Sequence, residues 1–121
     1  MQQTATYSMI VAQLLNRRRE ELGLSQAEFF GRSGLTQSTW SRINRGLSLF
    51  TLEEMRAACQ ALNLDMPDIL GSADRAAAAL PEHEDVEVLE NLKGSENKSL
   101  LPTIIAGAAL AFLIARILKG R

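Results

Sequence analysis

The chain has 121 residues, a length that allows one domain, or one small domain with an appendage. Its net charge of −1 conceals an uneven distribution: residues 1–50 hold six Arg against three Glu, whereas residues 73–99 hold seven acidic residues against three basic ones. The single cysteine, Cys59, excludes an intramolecular disulfide and predicts a buried structural thiol in a reducing compartment.

The first seventy residues predict five short helices. Apolar residues recur at helical spacing, and Ser, Thr or Asp precedes each run as a candidate cap for the free backbone N–H groups. Two of the caps begin an S/T-x-x-E capping box. Gly34 permits a tight turn between the second helix and the third, and the fifth helix ends near Leu70. The predicted caps are, in chain order, Ser8, Ser25, Thr36, Thr51 and Asp65.

The composition changes after Gly71. Residues 76–80 are rich in alanine, and residues 82–92 are acidic, so this second stretch is either a short helix or a solvated linker. Residues 94–99 contain no apolar side chain and predict a flexible segment. No stretch has a convincing strand pattern. We therefore expect an acidic linker over residues 72–99.

The stretch GLSQAEFFGRSGLTQSTWSRINRG, residues 23–46, is similar to the lambda-repressor-like, Cro/C1-type helix-turn-helix family (the XRE family) of bacterial and phage regulators. Its matching elements are Leu24-Ser25-Gln26, the turn from Gly34 to Ser38, and the ending from Ser41 to Gly46. The resemblance covers roughly residues 8–71. It implies an all-α, five-helix DNA-binding domain whose third helix enters the major groove.

The resemblance also implies which side chains contact DNA. A Gln can pair with adenine, an Arg with guanine and a Ser with either base, which suits the positions that face base edges in the family. Contacts to the phosphate backbone come from residues beside them and at the start of the second helix. The base-reading residues implied are Gln37, Ser38, Ser41 and Arg42, and the backbone contacts are Gln26, Asn44 and Arg45.

Aromatic residues depart from the family pattern at the contact between the second and third helices. The family commonly has alanine where Phe30 stands, and isoleucine or valine where Trp40 stands. Together with Phe29 they predict a bulkier seam between the helices. We expect Trp40 to lie in the core and not to stack on a base. A larger seam that rotates the third helix would alter the base contacts that the family implies.

The C-terminal residues 100–121 form the most apolar part of the chain, and we predict one helix from Leu100 to Leu118, with Pro102 in its first turn. Nineteen helical residues span roughly 28 Å, close to the hydrocarbon thickness of a bilayer. Ile104 to Ala115 are apolar on all sides, so this helix is expected to be buried in lipid or in protein. Arg116 lies near enough to the end to reach headgroups.

Small residues recur every fourth position in this tail, at Gly107, Ala111 and Ala115, a row that lets two helices approach closely. Three readings stay open: a membrane anchor, an oligomerisation helix buried in protein, and an interfacial helix. The basic residues at the C-terminus count against full insertion. With the DNA-binding head (residues 8–71) in the cytoplasm, a helix that spans the membrane would place these positive charges on the far side, against the positive-inside rule.

Sequence alone therefore predicts a sequence-specific DNA-binding transcriptional regulator, most simply a repressor that acts as a homodimer on double-stranded DNA. Its head would be cytoplasmic and attached to the inner membrane through residues 100–121. The rival is a membrane-anchored scaffold, similar in architecture to some bacterial cell-shape proteins, whose head docks onto a cytoskeletal or other protein. His83 has no neighbouring ligand and no nucleophile arrangement or phosphate loop is apparent, so we expect no enzyme, cofactor or metal.

Overall fold

The computed structural model describes residues 3–89 and 103–120, and this part is mostly helical, which confirms the all-α fold class. Five helices form the head, as predicted, and a sixth follows at the C-terminus. The helices are α1 (Tyr7–Glu21), α2 (Gln26–Ser33), α3 (Gln37–Asn44), α4 (Leu52–Ala61), α5 (Met66–His83) and α6 (Gly107–Lys119), and the strands are β1 (Gln3–Thr6) and β2 (Val86–Leu89).

Side-chain caps start α2, α3 and α4, as predicted. The Ser25 hydroxyl accepts from the Glu28 N–H at 3.0 Å, and the Glu28 carboxylate accepts in return from the Ser25 N–H at 2.8 Å. This hydrogen bond from the Ser25 backbone is the main reason that the pKa of Glu28 lies below its usual value. Thr51 makes the same box ahead of α4, and Thr36 accepts from the Thr39 N–H at 3.1 Å.

The cap predicted for the first helix is wrong by two residues. Thr6 caps α1 by accepting from the Met9 N–H at 2.9 Å. Ser8 lies inside the helix, is buried, and uses its hydroxyl to accept from the Phe50 N–H at 3.0 Å. A serine near the start of a helix can cap it or bond elsewhere. Here the Phe50 N–H, 42 residues away, occupies the Ser8 hydroxyl.

Gly34 ends α2 and makes the turn into α3 with φ of 80°. A β-carbon placed there would meet no atom within 4 Å, so the turn needs the left-handed conformation that glycine allows, and not extra space.

The fifth helix is much longer than predicted. α5 runs to His83 with Pro81 in its last turn, so the expectation of an acidic linker is wrong for residues 72–83. Its buried residues recur at helical spacing on both sides of the boundary expected at residue 71. Burial of this apolar face stabilises the helix beyond Gly71. Those residues are Ile69, Ala73, Ala76 and Leu80.

The expectation of no strands is also wrong. β1 and β2 pair in parallel, with Gln3 opposite Val86 and Thr6 opposite Leu89. Each strand has only four residues and they lie about eighty positions apart, so neither gives a local signal strong enough to read. On its other side β1 forms a bridge between Thr4 and Ile104, and the Ile105 N–H donates to the Thr4 carbonyl at 2.8 Å.

The C-terminal helix is shorter than the nineteen residues predicted over 100–118. α6 has 13 residues, and Thr103 and Ile104 form a short turn and a bridge ahead of it. Pro102 lies outside the described residues. Within residues 3–89 and 103–120, no helix combines the length and the apolar character needed to cross a bilayer.

α6 packs against α1 and α5 of the same chain. Its residues Leu110 and Ile114 are buried, as is Ile105 just before it, and all three belong to the same core cluster as the head. Phe112 is 62% exposed, so one face of α6 is left uncovered by the rest of the chain. Arg116 pairs with Glu84 at 3.8 Å, which ties the end of α6 to the end of α5.

Candidate nucleic-acid interface

The α3 helix has one buried face and one exposed polar face. Trp40 and Ile43 are buried, at 7% and 0% exposure. The four predicted base-reading residues occupy the other side, since positions one, two, five and six of a helix share a face. Gln37, Ser38 and Arg42 are exposed, and Ser41 is half-buried.

An aromatic cluster fixes the buried face of α3. The Trp40 ring lies 5.2 Å from the Phe29 ring in an edge-to-face arrangement, 6.2 Å from Phe30 and 6.4 Å from Phe50, all measured between centroids. The prediction that Trp40 belongs to the core is confirmed. Such ring pairs are directional, so the cluster sets the rotation of α3 about its own axis.

An open groove of about 620 Å³ runs beside the exposed face of α3. It brings together Gln26, at the first position of α2, and four of the predicted residues of α3 and its cap. Ser38 and Arg42 do not line it, and lie on the exposed surface of α3 instead. The opposite wall comes from α1 and from the first turn of α6. The lining residues of α3 and its cap that were predicted from sequence are Gln37, Ser41, Asn44 and Arg45.

Two cations stand on the exposed side of α3. Arg42 and Arg45 are both exposed, and within the described part of the chain neither forms an ion pair with a carboxylate. Arg45 donates from Nε to the Ser41 carbonyl at 3.4 Å, which leaves its two terminal nitrogens for a ligand. Exposed guanidinium groups without an acidic partner suit contact with a phosphate or with the edge of guanine.

Asn44, predicted as a backbone contact, already uses both ends of its amide inside the protein. Its Nδ2 donates to the Trp40 carbonyl at 2.9 Å, and its Oδ1 accepts from Gln13 Nε2 at 3.0 Å. Asn44 is also half-buried. The side chain is thus placed to hold α3 against α1.

The small residues of the tail face α1. Gly107 and Ala111 line the groove beside α3, and Ala111 and Ala115 line a second cavity with Asn16 and Arg17 of α1. In this structure the small-residue row therefore lies against a helix of the same chain.

Sequence reasoning missed Gln13 and Ile104. Gln13 contacts α3 from 31 residues away, and Ile104 contacts Gly46 from 58 residues away. Neither contact has a local pattern. The sequence did offer one indication of the Gln13 contact, namely a polar glutamine among the apolar residues of α1.

In residues 3–89 and 103–120, no cluster of three or more His, Cys, Asp or Glu side chains could hold a metal ion. Cys59 is buried, as predicted, and burial raises the pKa of its thiol.

Comparison with known protein families identifies a domain in this chain. Residues 10–69 match the family model described as a helix-turn-helix domain, and this range contains most of α1, all of α2 to α4, the aromatic cluster and every predicted DNA-contacting residue. No curated protein and no solved structure matches the chain.

Proposed function

The chain belongs to the helix-turn-helix family through residues 10–69, and on this premise we propose that it is a sequence-specific DNA-binding transcriptional regulator. The observation that carries the proposal is the exposed face of α3, polar and cationic, above a face that Trp40 and Ile43 bury in the core. A helix fixed on one side and polar on the other is what insertion into the major groove requires.

In this proposal the exposed residues of α3 read bases and their neighbours hold phosphates. Arg42 would pair with guanine and Gln37 with adenine, while Ser38 and Ser41 accept either base. Gln26 begins α2, where its side chain and backbone N–H suit a phosphate, and Arg45 suits a phosphate beside α3. Asn44 is assigned instead to holding α3 in place, because its amide is engaged with Trp40 and Gln13.

The proposed regulator acts as a homodimer and represses by covering a promoter. One recognition helix reads only a few base pairs, and two heads on a near-palindromic site supply the missing specificity. Exposed leucines in and after the loop between α3 and α4 offer an apolar contact for a second copy. They are Leu47, Leu49 and Leu52, at 49%, 49% and 72% exposure.

The rival function is a scaffold that docks onto another protein. The same exposed leucines favour it, whereas the polar face of α3 favours DNA. Neither proposal needs a membrane tether, because Leu110 and Ile114, which lipid would have to cover, are already buried within the chain.

Chromatin immunoprecipitation of the full-length tagged protein from its native cell, with sequencing of the bound DNA, tests the proposed function. We expect a small number of sharp peaks that share an inverted repeat. A flat profile from an expressed, folded protein would overturn the regulator and favour the scaffold.

A further inference from the structure

The C-terminal segment, residues 103–120, contacts the end of α3. A β-carbon placed on Gly46, which follows the α3 cap with φ of 76°, would lie 3.0 Å from Ile104 Cδ1 and 3.4 Å from Cγ1 and Cγ2. The Ile104 side chain therefore packs directly on the backbone that ends α3. Ile104 is itself fixed, since Thr4 forms a bridge with it and also accepts from the Ile105 N–H.

A second path joins the same segment to the middle of α3. A β-carbon on Gly107, at the start of α6, would lie 3.2 Å from Gln13 Nε2, so the first turn of α6 closes the space around that amide. Gln13 donates to Asn44, and Asn44 donates to the Trp40 carbonyl. The segment thus reaches both the middle and the end of α3 through Gln13 and Gly46, neither of which is proposed to read bases.

We propose that Ile104 and Gln13 are positioning residues for DNA reading, through which the C-terminal segment sets the place of α3. The inference rests on the proposed function. Hydrogen bonds to base edges operate within a few tenths of an ångström, whereas attraction to phosphates is long-ranged and tolerates a shift of the helix. A displaced α3 therefore loses sequence preference before it loses affinity for DNA in general.

Two isoleucines of the segment provide a matched pair of variants. Ile104→Ala and Ile117→Ala remove the same three carbons from half-buried positions of the same segment. Ile104 packs on Gly46, whereas Ile117 lies at the far end of α6, beside His83 and Glu84. Gln13→Leu keeps the side-chain volume nearly constant and removes the hydrogen bond to Asn44.

The first readout is the ratio of affinity for a selected DNA site to affinity for random DNA, measured at several salt concentrations with full-length protein. We expect Ile104→Ala and Gln13→Leu to lower this ratio by about tenfold, the effect of losing one well-placed interaction. Affinity for random DNA and its salt dependence should stay as in the wild type. Ile117→Ala should lower thermal stability and leave the ratio unchanged. Equal ratios for the two alanine variants would overturn the proposal.

The second readout needs no DNA. The Leu47 N–H donates to the Arg42 carbonyl at 2.8 Å and closes the end of α3, so its hydrogen exchange reports whether that end is held. The Phe29 N–H in α2 serves as the reference amide. Relative to it, we expect hydrogen exchange at the Leu47 N–H to become about tenfold faster in Ile104→Ala and to stay unchanged in Ile117→Ala. If the wild type selects no DNA, the proposed function fails, and exchange still decides whether the segment holds α3. Equal exchange in both variants would overturn that coupling as well.

Discussion

The Tyr7 hydroxyl donates to Asp74 Oδ1 at 2.7 Å and joins the first turn of α1 to the part of α5 that lies beyond the expected domain boundary. The same hydroxyl is 3.3 Å from the Leu70 carbonyl. Burial is the largest cause that raises the pKa of the Tyr7 phenol above its usual value, followed by the hydrogen bond and the charge of Asp74.

The Tyr7→Phe variant should therefore be less stable by about 1 kcal/mol at neutral pH, the usual net value of one hydrogen bond. The pH dependence has a definite sign: the folded state favours the protonated phenol, so its contribution is complete below about pH 10 and is lost as pH rises above that value. Urea unfolding at pH 7 and at pH 10 to 11 measures both effects. A wild type and variant that lose stability equally at high pH would contradict this role of Tyr7.

Leu80→Ala should destabilise the protein by about 2–5 kcal/mol, because Leu80 is fully buried in the core shared by the head and α6. Chemical unfolding gives the value. Ala78→Gly, at an exposed site of the same helix, tests the helical conformation without removing a core side chain and should cost about 1 kcal/mol. A cost at Leu80 as small as the control would mean that residues 72–83 behave as a linker.

Two glycines in and after α2 should respond oppositely to alanine. Gly34→Ala forces φ of 80° on a residue with a β-carbon and should cost about 1–2 kcal/mol. Gly31→Ala, inside the helix and also in open space, should stabilise by about 0.5–1 kcal/mol. Thermal unfolding of both variants distinguishes a conformational requirement from a steric one. A stability change of the same sign in both variants would contradict the conformational requirement at Gly34.

Cys59 should react slowly with a thiol reagent in the native protein and rapidly after unfolding. Its side chain is 1% exposed, and the raised pKa leaves little thiolate at neutral pH. Labelling with a maleimide with and without urea measures the difference. Fast native labelling would place the thiol on an open surface.

The head was predictable because its signals are local. Ser25 with Glu28, Thr51 with Glu54 and the turn at Gly34 each lie within a few residues, and the structure has all three. The same holds for the burial of Trp40, whose aromatic neighbours stand close in the sequence.

The rest depended on partners far along the chain. Gly71 resembles a helix end, yet α5 continues, because Ala73, Ala76 and Leu80 have the core and α6 to pack against. The apolar tail resembles a membrane helix because its partner surface on α1 and α5 exists only after folding. The exposed face of α3 was likewise predictable, but its supports at Gln13 and Ile104 were not.

The measurement that tests the central claim most directly is selection from random double-stranded DNA by the purified full-length protein. Arg42→Ala and Arg56→Ala are run in parallel, since both remove one exposed arginine but only Arg42 lies on the face of α3 that is proposed to read bases. We expect the wild type and Arg56→Ala to enrich one inverted repeat, and Arg42→Ala to lose preference at its guanine by about 1–3 kcal/mol. Enrichment of no sequence by the wild type, or an identical motif from Arg42→Ala, would contradict a role for α3 in reading DNA.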